Sequence, residues 1–176
     1  MGESHRISKN RTSFIFVIKN DGGVIIRRFL KKDAKRACDM TIRVFREFVA
    51  REFTKAGVKK WLSEQTPEEQ VKRSASRDVF VAIVNHKIVG MIEGVNSGNI
   101  RISRLFVDKH YQGTGIGKAL AGKIFKLNQM RGVRELKVYS SMYALKFYEH
   151  LGFKKTTGLR KKHGMIYQPV KKSLKP

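Results

Sequence analysis

The 176-residue chain is short of several residue types: one cysteine, three prolines, one tryptophan, and 14 acidic residues against 38 lysines and arginines. A single cysteine excludes an internal disulfide and a thiolate metal cluster, and suits a reducing compartment. Cys38 falls in an apolar helical pattern, where a small buried hydrophobe is expected rather than a reactive thiol. With few prolines and no Ser-rich linker, one domain is expected over 1–176, its core spanning about 24–170 and its ends, 1–11 and 171–176, loose. No apolar run approaches the ~18 residues of a membrane span. The opening "MGESHRISKNRTS" lacks the apolar stretch of a secretory signal, and Arg6 stands where a myristoylation pattern wants Ser or Thr. A cytoplasmic protein is expected. The scarcity of acids leaves a net charge of +24, which attracts nucleic acid, acidic surfaces or phosphate-bearing cofactors. The five histidines are scattered without ligand spacing, so no metal site is expected.

What is present reads as mixed α/β. Phe14–Lys19 and Val24–Leu30, around the turn "NDGG", form two β segments. From Asp33, a plausible N-cap, apolar residues recur at three- and four-residue spacing through Val49, marking a long helix. "WLSEQTPEEQVKRSAS" continues as a second helical region, with Thr66 capping a helix that starts at Pro67. Strands follow at Val79–Val84, Ile88–Val95 and Ile100–Val107, then a helical stripe from Ile116. "ELKVYS" is a short strand, "SMYALKFYEHL" a short helix, and "GFKKTT" and "GMIYQPV" two last strands. The expected fold is a single mixed β-sheet flanked by helices.

Gly113, Gly115 and Gly117 stand where a strand hands over to a helix. Such turns let backbone approach a ligand closely and leave helix-start amides free for phosphate. A P-loop fails, because its first glycine would be Gln112 and Ala119 replaces its Ser/Thr. The dinucleotide fingerprint fails as well, with Lys118 or Leu120 where its third glycine belongs. The frame that survives is Gln112-x-x-Gly115-x-Gly117. Preceded by Leu105-Phe106-Val107, it resembles the acetyl-CoA-binding motif of the GNAT superfamily of N-acetyltransferases. Ala144, Phe147, Tyr148, Gly152 and Phe153 resemble that family's A-x-x-F-Y-x-x-x-G-F element, and the strand order matches from Val24 to Val170.

The resemblance implies a GNAT-like fold whose strands Ile100–Val107 and Glu135–Ser140 splay apart at the cofactor site. It implies that backbone groups of Leu105, Phe106 and Val107 pair with the pantetheine arm of acetyl-CoA, Val107 lying nearest the thioester. Amides of Gln112, Gly113, Thr114, Gly115, Ile116, Gly117 and Lys118 would wrap the pyrophosphate. Residues 111–134 hold five lysines and arginines and no acid, which suits phosphate independently of the family. Ser140 and Ser141 would cap the next helix and touch the cofactor, although Tyr139 replaces the family's usual asparagine.

Acetyl transfer to an amine needs a base for the ammonium and a donor for the leaving thiolate. The family position of the donor corresponds to Tyr148, with Tyr143 and Tyr139 as weaker substitutes. Glu93 is the candidate base, the one carboxylate inside the strands from Val79 to Val107, with Met91 on its face and Ile92 on the other. Arg101 and Ser103 stand where some members carry a glutamate, so a water relay is the competing expectation. The function expected is transfer from acetyl-CoA to an amine-bearing acceptor. The alternative is a CoA-binding GNAT-fold module associated with RNA or the ribosome. Nucleic acid and a homodimer stay open as partners. Residues 154–176 carry eight lysines and arginines and no acid, so a neutral or anionic acceptor is expected over a polycation.

Overall fold

The computed structural model describes residues 23–96 and 101–174. The expected strand Phe14–Lys19, the loose start and the "SGN" turn lie outside the described residues. The elements are β1 (Ile25–Arg28), α1 (Ala34–Val44), α2 (Lys55–Ser63), α3 (Pro67–Ser76), β2 (Arg77–Val84), β3 (Lys87–Val95), β4 (Arg101–Val107), α4 (Ile116–Met130), β5 (Glu135–Ser140), α5 (Met142–His150), β6 (Lys154–Lys155), β7 (Arg160–Lys162) and β8 (Met165–Ser173). The sheet runs β1-β2-β3-β4-β5-β8-β6, with β7 against β8. Its neighbours are antiparallel except for the β4–β5 pair, which is parallel.

β3 divides the core. Ile92 packs with Ile116, Leu120 and Ile124 of α4, whereas Met91 packs with Ala37, Met40 and Val44 of α1. Strand alternation sends neighbouring side chains to opposite faces, so each face of β3 seats one helical layer. Gly90 and Gly94 let α4 lie close: a Cβ on either would stand 3.0 Å from a Leu120 or Ile124 methyl.

Several local expectations change. Asp33 makes no side-chain cap on α1; its carboxylate accepts Arg27 Nη2 at 2.9 Å and the Leu30 N–H at 2.8 Å. The first helix stops at Val44 and widens into a π turn, Phe45–Val49, then a 3-10 turn, Ala50–Glu52. The widening accompanies full burial of Phe45, whose ring stacks on Trp61 at 3.6 Å. Thr66 caps α3 through the Glu69 N–H at 3.2 Å, with Pro67 in the first turn. The second helical region is thereby split into α2 and α3.

The tail departs from the expected looseness. Lys171–Ser173 belong to β8 and pair with Glu135–Lys137 of β5, and Leu174 is buried with its N–H on Arg134 O at 2.8 Å. β6 is two residues of the expected "GFKKTT" strand, and β7 is an unforeseen one, folded back on β8 by a turn at His163-Gly164.

Candidate active site

β4 and β5 pair at only two positions, Arg101↔Lys137 and Ile102↔Val138, and then separate. On its other side β4 carries a bulge: Glu93 faces Arg104 and Gly94 faces Ile102, leaving Ser103 extra. The Asp108 N–H bonds Val89 O at 2.8 Å. Antiparallel alternation then directs the Phe106 peptide groups toward β3 and those of Leu105 and Val107 into the gap beside β5. This corrects the expectation for Phe106. It contributes its ring, 5.9 Å from Trp61, while the open backbone belongs to its two neighbours.

The gap leads to the start of α4. Gly115 caps this helix with φ +89°, a conformation open to glycine at little cost. The first helical bond is Ala119 N–H to Gly115 O at 2.9 Å, so the amides of Ile116, Gly117 and Lys118 have no helical acceptor. A Cβ on Gly117 would stand 3.0 Å from the Phe147 ring, so α4 and α5 converge here. The Gln112 side chain is held within the protein: its Nε2 donates to Val107 O at 3.1 Å, and its Oε1 accepts Tyr143 OH at 2.6 Å. Thr114 Oγ1 donates to Tyr111 O, which shapes the turn. Ser141 caps α5 through the Ala144 N–H at 3.2 Å, and Ser140 Oγ donates to Ser141 O at 2.8 Å. Glu52 accepts the Met142 and Tyr143 amides at 2.6 and 2.8 Å, tying the early helices to the same helix start.

These parts enclose a cleft of about 850 Å³. Of the residues expected at the site, Leu105, Phe106, Val107, Gln112, Gly113, Gly115, Gly117, Lys118, Ser140, Ser141 and Tyr148 line it; Glu93, Thr114 and Ile116 do not. Tyr148 is buried, edge-on to Phe147 and Phe153 at 5.3 and 5.4 Å. Burial pushes its phenol well above the ordinary value, so it stays protonated.

Glu93 is fully buried behind the cleft wall. Its carboxylate takes Ser103 Oγ at 2.8 Å, Arg104 Nη1 at 2.9 Å, Arg77 Nη1, and Gln70 Nε2 at 3.4 Å, with Arg73 Nε 3.5 Å away. Burial alone would raise its pKa, but Arg104 and Arg77 pull it below the usual carboxylate range. Three of these donors crowd Oε1, and Gln70 takes Oε2. Sequence reasoning missed Arg77 and Arg104, which line the cleft along with Arg101. Two arginines inside the strand "RISRLFV" were the available signal, because such residues are seldom placed in a central strand without a partner.

The chain matches the family model described as an acetyltransferase (GNAT) domain over residues 49–174. GCN5-related N-acetyltransferase 2, chloroplastic, from Arabidopsis thaliana is 32% identical over 69 residues, which is 38% of this chain and 27% of that protein. The match thus spans about a quarter of that relative's length. The PaiA N-acetyltransferase of Thermoplasma acidophilum, solved in complex with coenzyme A, superposes with a TM-score of 0.74 at 17% identity, covering 86% of this chain and 99% of that one. A GCN5-related N-acetyltransferase structure from Rhodopseudomonas palustris also gives 0.74, at 19% identity over 93% and 99% of the two chains.

Proposed function

The chain belongs to the acetyltransferase (GNAT) family, an enzyme of the N-acetyltransferase class, and we propose that it moves an acetyl group from acetyl-CoA directly to an acceptor amine. The observation that carries this reading is the β4–β5 gap. It offers the backbone groups of Leu105 and the N–H of Val107 to an extended, amide-bearing arm, and ends at the amides of Ile116, Gly117 and Lys118, which suit a pyrophosphate. Acetyl-CoA supplies the activated acetyl thioester there.

With the pyrophosphate at 112–118, the arm meets Val107 first, and its thioester end lies farther along β4, toward Leu105. That moves the thioester away from Val107, whose carbonyl already accepts Gln112 Nε2. Tyr148 holds a proton for the departing sulfur. As the N–C bond forms and the C–S bond breaks, the sulfur takes this proton and the amine's own proton leaves to water, from which Tyr148 regains one. Glu93, held by Ser103, Arg77, Arg104 and Gln70 and away from the cleft surface, serves as the anchor of Arg77 and Arg104 rather than as the base. If it were the base, Glu93→Gln would abolish the acid limb of the kcat/KM pH profile, where a base is silenced by protonation; the anchor role leaves that limb in place.

The cofactor assignment is tested with Gly115→Val and Gly117→Val. A side chain at 115 is strained by the positive φ, and one at 117 meets Phe147 at the point where phosphate would approach. Calorimetry should show CoA binding lost, with the far-UV spectrum retained. Unchanged affinity in the folded double variant would make the motif assignment wrong. The family match and the CoA-bound neighbour give the RNA-associated alternative no support.

A further inference from the structure

We propose that the acceptor is a free α-amino acid with an aromatic or large apolar side chain, its carboxylate held by Arg77, Arg101 and Arg104 and its side chain against Trp61, Phe53 and Met165. The proposal rests on the acetyl-transfer reading and names the substrate class of the same site.

The charge of the cleft carries the argument. Its lining includes Arg77, Arg101 and Arg104 and not one aspartate or glutamate. The nearest counter-ion, Glu93, offers a single negative charge to the guanidiniums of Arg73, Arg77 and Arg104, so this cluster keeps a surplus of positive charge. Arg101 adds more: it stands over the Tyr139 ring, 5.9 Å from the centroid, and among the described residues no carboxylate pairs with it. Each guanidinium has five N–H donors in a planar fork, far more in total than the two oxygens of Glu93 can accept. A carboxylate that enters the cleft supplies the missing acceptor and charge. A polyamine meets only like charge.

Size and surface narrow the class. A cleft of about 850 Å³ that also takes the thioester arm leaves room for one small molecule. Beside the arginines its wall is apolar and aromatic, with Trp61 stacked on Phe45 and Phe53 edge-on to Phe45 at 5.2 Å. The guanidiniums also disfavour a bound ammonium, which lowers the pKa of the acceptor amine and helps it lose its proton to water without a protein base.

The experiment compares L-phenylalanine, L-phenylalaninamide and spermidine as acceptors by thiol release, and measures L-phenylalanine affinity for the full chain by calorimetry with CoA present. Phenylalanine is expected to exceed its amide, which lacks the carboxylate, by ~10²-fold in kcat/KM, and spermidine by more. Arg101→Met, which leaves the Glu93 cluster intact, should erase most of that gap and weaken phenylalanine binding while CoA affinity holds. Preference for the amide or spermidine, or phenylalanine binding equal in wild type and Arg101→Met, overturns the acceptor proposal. Thiol release absent for every amine, with phenylalanine binding still dependent on Arg101, would instead sink the acetyl-transfer reading and leave the carboxylate site standing.

Discussion

Tyr148→Phe is expected to lower kcat by ~10²–10⁴-fold with little change in the KM of either substrate. The phenyl ring keeps both edge-on contacts, to Phe147 and Phe153, so the fold and the cleft wall persist. Only the hydroxyl is lost. A buried phenol with a raised pKa is a poor acid toward a solvated thiolate, but the leaving sulfur occupies the same desolvated cleft, which raises its proton affinity as well. Proton transfer is therefore better matched than solution values suggest. Steady-state kinetics with both substrates decide the matter, and an unchanged kcat would make Tyr148 a packing residue.

Glu93→Gln should cost about 3–5 kcal/mol of stability, read by denaturant unfolding. The substitution keeps the shape and removes the charge, so Arg73, Arg77 and Arg104 face one another uncompensated in a largely buried setting. Arg73 already feels this: burial first, then Arg104, lowers its pKa. Acid should act in the same direction. Asp33, Asp78, Asp108 and Glu93 are each partly or fully removed from water, which alone would raise their pKa, yet Arg27, Arg131, Arg43 and Arg104 respectively help hold them below ordinary carboxylate values. A depressed folded-state pKa stabilises the protein above the unfolded value of ~4, and that contribution is lost as pH falls through the folded values. The melting temperature should hold from neutrality to about pH 4.5 and decline below it. A Glu93→Gln variant as stable as wild type would show that the arginines do not depend on this carboxylate.

The cofactor side of the cleft was legible because its signals are local. Gly115 and Gly117 sit within a few residues of the strand end they serve, and Thr66-Pro67 marks a helix start by its own chemistry. The arginine wall of the cleft was not, because it is assembled across the chain. Arg77, Arg101 and Arg104 converge only once β2, β3 and β4 pair, and neither periodicity nor spacing records that Glu93 lies beneath them. The same limit applies to the tail. Residues 171–176 read as a loose polar end, yet β8 runs on through Ser173 and Leu174 is buried. The π turn at Phe45 also escaped, since a widened turn keeps the apolar spacing of an ordinary helix.

Two paired positions are all that join β4 to β5. Mechanically, the sheet is two plates hinged along one short edge, β1 to β4 and β5 to β8, held elsewhere by side-chain packing and by Glu52 on the start of α5. A ligand that lies between the plates as an extended strand completes the sheet. Slowed amide exchange at Leu105 and Val107 should therefore accompany occupancy, while Phe106, already bonded across to β3, should change little. The open seam between the plates is thus the feature that would let the protein report, residue by residue, when its cleft is filled.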